Sequence, residues 1–162
     1  MIERVFSQTF GVVGAIIEKD GKFLLVRETR LVKRDQGKWS HPAGWIDVGE
    51  DPISAVKREV KEETGLDFTP THVLGIYSLV RKDIESERGI PHAIKILFTG
   101  NFKESEHQHN KDEISEIRYF TGEEIEQMDL KTLRDLDIKK AVKDYLAGKK
   151  YPLDIITHTI SK

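Results

Sequence analysis

Residues 44–66 read GWIDVGEDPISAVKREVKEETGL. Asp51 suits the cap of a helix and Pro52 its first position. Gly65 suits the stop. Between them Ile53, Val56 and Val60 recur at i, i+3 and i+7, so one side of the helix is apolar and expected to pack on a sheet. Glu59, Glu62 and Glu63 recur at i, i+3 and i+4, so three carboxylates share the adjacent side. Like charges at that spacing repel by roughly 0.2–0.5 kcal/mol per pair. They also sit in the half of the helix where the macrodipole disfavours anions. A bound divalent cation relieves both penalties.

Working outward, the 162 residues are 38% hydrophobic and 33% charged, as expected of one globular domain spanning residues 1–162. The formal net charge of -2 gives no global basic field, so a nucleic-acid partner is not expected. The absence of cysteine excludes disulfides, thiolate metal sites and cysteine nucleophiles. The segment MIERVFSQTFG has no signal-peptide core, and the apolar stretch Phe10 to Ile17 is too short to span a bilayer. A cytoplasmic protein with no membrane partner is the expectation.

Phe10–Ile17 is expected to be a strand, joined through an Asp20-Gly21 hairpin turn to a second strand, Phe23–Arg27. Residues 29–38 read as a polar loop. After the helix, Val73–Val80 and Ala93–Phe102 are expected strands separated by a polar loop, 81–91. A second polar loop, 103–112, leads to a strand over Glu113–Phe120. Thr121-Gly-Glu-Glu124 is a capping box opening a short helix. The last helix is expected over 132–147, with Leu133, Leu136, Val142 and Leu146 apolar and Gly148 stopping it. Interleaved strands and helices with short hairpins predict an α/β (α+β) sandwich around a mixed sheet.

The segment 44–66 resembles the Nudix box, G-x5-E-x7-R-E-U-x-E-E-x-G-U with U aliphatic. Gly44, Glu50, Arg58, Glu59, Val60, Glu62, Glu63, Gly65 and Leu66 occupy every fixed position. The resemblance implies a mixed sheet between helices, with the box forming loop–helix–loop. It implies hydrolysis of a nucleoside diphosphate linked to another moiety. Carboxylate clusters suit a hard cation, Mg²⁺ or Mn²⁺, that neutralises phosphate charge and activates water for in-line attack. By resemblance Glu62 and Glu63 are metal ligands, Glu59 is a ligand or the general base, and Gly44 offers its backbone carbonyl. Glu50 supports the site, either through Arg58 or as a further ligand. Arg58 stands four residues before Glu62 and can hold it by a charge-assisted bond, or form a plain surface pair.

The resemblance also implies an acidic residue from outside the box, for which Glu113 is favoured over Glu116. On an alternating strand those two would face opposite sides. Arg27, Arg30, Lys33, Arg34 and Lys38 could meet phosphates, Arg27 above the others. Trp39, Trp45 and Tyr77 could stack a base or fill the core. His41 could line the site or make a structural bond, and His107 and His109 are weak metal candidates. The segment DYLAGKKYPLDII, residues 144–156, resembles the tail of the NudJ-like branch, which acts on nucleoside tri- and diphosphates and on hydroxymethylpyrimidine pyrophosphate. The leading expectation is therefore a metal-dependent pyrophosphohydrolase of a small nucleotide or diphosphate. A hydrolase of ADP-ribose or another nucleotide sugar is the alternative within the class, and a non-catalytic nucleotide-binding module the alternative outside it. Many relatives dimerise, which leaves room for a homodimer.

Overall fold

The computed structural model describes residues 9–29, 35–82 and 90–161. The first apolar run forms β1 (Thr9–Ile16). β2 (Glu18–Lys19) and β3 (Lys22–Glu28) follow, hinged where Asp20 (φ 52°) and Gly21 (φ 76°) both take the left-handed conformation of a tight hairpin. Two short strands not anticipated from the sequence, β4 (Trp39–Ser40) and β5 (Ala43–Trp45), lead into the box helix α1 (Pro52–Thr64). β6 (Asp67–Val80), β7 (His92–Lys103) and β8 (Ile114–Thr121) come next, then α2 (Gly122–Gln127) and α3 (Asp137–Leu146).

One sheet has the order β5-β1-β7-β6, with β1 and β7 parallel and the other pairs antiparallel. In the second, β3 pairs antiparallel with β8, β2 and β4. Alternation along β1 sends Val13 and Ala15 into one core with Ala55, Val56 and Val60 of α1. It sends Ile16 into a second core with Leu97, Phe120 and Ile138, Ala141 and Val142 of α3. The expected mixed α+β arrangement, sheet between helices, is the one observed.

Three of the boundaries that differ from expectation shape the site and its surroundings. β6 begins six residues earlier than Val73, through Pro70. A bulge beside Pro70 accommodates its missing N–H, and Gly100 opposite leaves the room: a Cβ there would lie 2.1 Å from the Thr69 carbonyl oxygen. Glu113 lies in the turn before β8 rather than in the strand. The last helix starts at Asp137, not 132. The backbone before it is already engaged: the Trp39 N–H donates to Thr132 O at 2.8 Å and the Arg134 N–H to Trp39 O at 2.9 Å. Leu133 is buried there, whereas Leu136 and Leu146 are exposed.

Candidate active site

Helix α1 is set by its ends. The Asp51 carboxylate accepts the Ser54 amide at 3.0 Å, and Gly65, at φ 77°, closes the helix with its N–H on Lys61 O. With Val56 and Val60 locked in the core, the three glutamates are presented to different surroundings. Glu62 is half exposed (48%), Glu59 largely covered (13%) and Glu63 buried (8%).

Arg58 organises this group. Its guanidinium makes a fork on Glu50, Nε to Oε1 and Nη2 to Oε2, both at 2.8 Å. Nη1 donates to Glu59 at 2.6 Å and to Glu62 at 3.3 Å, and Nη2 also reaches the Trp45 carbonyl at 3.1 Å. The expected Arg58–Glu62 and Arg58–Glu50 links are both present. The Glu50 bonds raise the Arg58 pKa further and hold Glu50 below the usual carboxylate range. Glu59 is displaced upward, because burial outweighs its bond to Arg58. As they stand, no three acidic or histidine side chains among the described residues are gathered closely enough to hold a metal ion. Arg58 gathers Glu50, Glu59 and Glu62 instead.

Gly44 is placed by β5 directly against Glu59. A Cβ on Gly44 would lie 2.1 Å from the Glu59 carboxyl carbon, so only glycine lets that carboxylate approach the strand. Beside it the Ala43 N–H donates to Glu63 Oε2 at 3.0 Å. Burial, then the neighbouring Glu28 charge, pushes Glu63 well above the ordinary carboxylate range.

Glu28 is a residue that sequence reading missed. The expected strand stopped at Arg27, yet β3 runs one residue further with an irregularity between Arg27 and Glu28. Glu28 is buried and paired with Arg134 at 2.7 Å. Burial raises its pKa against the opposing pull of Arg134. From Arg134 an ionic network runs inward: Arg81 to Asp35 (3.0 Å) and Asp135 (3.1 Å), and Lys95 to Asp135 (3.2 Å) and Asp137 (2.9 Å). Asp35, expected in a solvated loop, is 4% exposed. No periodic pattern marks these residues; only their pairing across the fold makes burial affordable.

The other expected site residues fall as follows. Glu113 is exposed, and its N–H donates to Asn110 O at 3.1 Å. The Asn110 N–H donates in turn to Glu62 O at 2.8 Å, so this turn is docked on the end of α1. Glu116 is engaged by Arg27 (2.7 Å) and Arg118 (2.5 Å). Arg27 is thus an ion-paired residue, and its guanidinium lies 5.3 Å from the Trp39 ring centroid. Trp39 is a core residue, 6% exposed and edge-on to Phe120. Tyr77 donates to Asp144 at 2.9 Å and packs on the second core. His41 is buried, with Nδ1 3.3 Å from Pro42 O, which matches the structural reading. Of the basic loop residues, Arg30, Lys33 and Arg34 lie outside the described residues, as does much of the expected loop 81–91. Among the described residues no helix is long and apolar enough to cross a membrane.

Comparison with known proteins agrees with this fold. The NUDIX domain family matches residues 7–144. The chain belongs to the Nudix family and is a hydrolase acting on phosphoric anhydrides. Phosphatase NudJ of Escherichia coli K12 is 28% identical over 145 residues, covering 89% of this chain and 88% of the relative. A Nudix hydrolase structure from Nitrosomonas europaea superposes with a TM-score of 0.79 at 32% identity, covering 94% of this chain and 98% of the other. An ADP-ribose pyrophosphatase from Streptococcus suis superposes with a TM-score of 0.61 at 25% identity, covering 88% of this chain and 95% of the other.

Proposed function

We propose that this chain hydrolyses the pyrophosphate linkage of a nucleoside tri- or diphosphate, or a related diphosphate, by attack of water at phosphorus with Mg²⁺ or Mn²⁺ at the box carboxylates. The observation that carries the reading is the set of Glu59, Glu62 and Glu63 on α1, not drawn round one point as they stand, with Gly44 of β5 leaving the room that the Glu59 carboxylate occupies. The donor set fits a hard cation. It is all oxygen, it is crowded with negative charge that Arg58 offsets only in part, and burial leaves Glu63 in want of a counter-charge or a proton. Glu59, Glu62 and Glu63, with the Gly44 carbonyl, are the residues that would hold it. Glu113 is the outside contributor, supported by the docking of its turn on Glu62 O and by the engagement of Glu116 elsewhere. When bound, the ion supplies charge neutralisation at the phosphates and a lowered pKa for coordinated water.

The protein's own groups divide the remaining work. Glu50 fixes the Arg58 fork, and Arg58 sets the positions of Glu59 and Glu62. Glu59, its pKa displaced upward by burial and so more basic as a carboxylate, is suited to accept a proton from the attacking water or to serve as a ligand. The activity resides in one domain, and the small-molecule substrate is its ligand; gel filtration tests whether it works as a dimer. The resemblance to an ADP-ribose pyrophosphatase keeps ADP-ribose and nucleotide sugars as the second substrate class.

The test is a panel of nucleoside di- and triphosphates, ADP-ribose, dinucleotides and pyrimidine pyrophosphates with Mg²⁺, with products identified. Glu62→Gln should remove most activity and leave the fold intact. Near-wild-type turnover in that variant overturns the assignment. Tight nucleotide binding with no metal-dependent phosphate release favours the non-catalytic module.

A further inference from the structure

Trp45 is 60% exposed although it lies within a strand. Its ring stacks on Phe10, centroids 4.7 Å apart and planes 19° from parallel. One ring face is therefore backed by a second aromatic and the ring's orientation is fixed, while much of its surface stays open to solvent. The backbone under this ring belongs to the reaction centre. Gly44, the preceding residue, abuts Glu59, and the Trp45 carbonyl accepts Arg58 Nη2 at 3.1 Å.

Strand register shows what else shares the ring's face. Val12 pairs with Trp45 on one side and with Lys95 on the other, so the three form one row pointing the same way. Two strand spacings put Trp45 and Lys95 about 10 Å apart. Phe10 and Gly14 lie on the same face, two residues to either side of Val12. His41 covers Gly14, where a Cβ would be 2.8 Å from its Cε1. The face thus passes from exposed Trp45 and half-buried Phe10 at its rim, past buried Lys95 and His41, to Leu97 and Ile16 of the second core. Gly44 points to the opposite face. Because β5 is the outermost strand of its sheet, one molecule can reach both faces around its edge.

We propose that the open face of Trp45 is the stacking surface for the planar heteroaromatic ring of the substrate, with the diphosphate on the Glu59 side of β5 and a sugar-sized spacer between. The inference rests on the pyrophosphohydrolase reading and names the class of group joined to the diphosphate: a nucleobase or similar flat ring, with little discrimination among bases, since every base has a π-face.

The experiment compares Trp45→Ala and Trp45→Phe on a nucleoside triphosphate and on inorganic tripolyphosphate, which has no ring, both with Mg²⁺. Trp45→Ala should raise KM for the nucleotide roughly 5- to 100-fold more than for tripolyphosphate, with kcat little changed. Trp45→Phe should recover most of the difference. Equal losses on both substrates overturn the proposal and indicate a structural role. A second readout does not need turnover. The chain has two tryptophans, and Trp39 is buried at 6% exposure, so nucleotide added to the wild type should quench Trp45 emission, and Trp45→Phe should abolish the quench. Nucleotide binding by calorimetry without quenching overturns the stacking, as does no binding of any nucleotide. Quenching without hydrolysis sinks the pyrophosphohydrolase reading and leaves the stacking surface standing.

Discussion

Glu63 accepts the amide hydrogen of Ala43 at 3.0 Å, and this one bond ties the buried side of the box helix to the strand that carries Gly44. Glu63→Gln keeps an acceptor for that amide and removes the charge. The folded-state pKa of Glu63 is raised by burial and by Glu28. The ionised group therefore costs stability once pH exceeds the unfolded carboxylate value of about 4.3, and the cost grows until pH passes the folded pKa. Without added metal, Glu63→Gln should be more stable than wild type, by a margin that widens as pH rises above the ordinary carboxylate range. Each kcal/mol gained should appear as about 2–4 °C in Tm. With Glu63 as a metal ligand, as proposed, the variant's kcat should fall at least about 100-fold. A margin that is flat with pH would mean that Glu63 carries no buried charge.

The Glu28–Arg134 pair, at 2.7 Å, joins the end of β3 to the segment before α3. Arg134→Met leaves the Glu28 carboxylate buried among like charges, with Glu63 and Asp35 near it. Losing one partner of a buried pair costs about 3 kcal/mol. The double variant Glu28→Gln with Arg134→Met should regain most of that, because the uncompensated charge is gone. Urea unfolding of the four proteins checks it: coupling below about 0.5 kcal/mol would show the two residues to be energetically independent.

These two relationships mark where sequence reading reaches its limit. Helix α1 was legible because its signals are local: Asp51 and Pro52 at one end, Gly65 at the other, and an apolar stripe between. The α2 capping box was legible for the same reason, and both of its bonds are present. The box also located Arg58 against Glu62, since residues four apart on a helix are neighbours, whereas the Arg58–Glu59 bond joins adjacent residues and was not legible from that spacing. Glu28 and Arg134 stand 106 residues apart, and Arg81 and Asp35 stand 46 apart. Each reads singly as a solvated surface charge, and only the crossing of β3, β6 and the pre-α3 segment pairs them. The start of α3 was misplaced for a related reason: Thr132 and Arg134 have helix-compatible neighbours, but their backbone groups are used by Trp39.

His41 offers a test with a defined pH window. Burial, then the Lys95 charge, lowers its pKa from 6.5 to about 4. A histidine whose folded pKa lies below its unfolded value is stabilising as the neutral ring. That contribution is complete above about pH 6.5 and is lost as pH falls toward 4. The shift corresponds to about 3 kcal/mol across the window. His41→Asn can still donate to the Pro42 carbonyl but cannot titrate. The difference in unfolding free energy between wild type and variant should therefore shrink as pH drops from 7 to 4, by an amount of that order. Parallel stability curves for the two proteins would show that His41 is not held neutral.

Gly44→Ala is a steric probe of Glu59. Gly44 does not take a left-handed φ, so alanine meets no backbone penalty there. The added methyl would instead stand 2.1 Å from the Glu59 carboxyl carbon. A carboxylate at the end of a flexible side chain can move, and its movement breaks the 2.6 Å bond to Arg58. Stability should change by no more than about 1 kcal/mol, while kcat should fall at least about 10-fold. Because both changes act on one carboxylate, adding Gly44→Ala to Glu59→Gln should cost little beyond the worse single variant. If the losses multiply instead, Gly44 serves the reaction through something other than Glu59, and its backbone carbonyl becomes the group to examine.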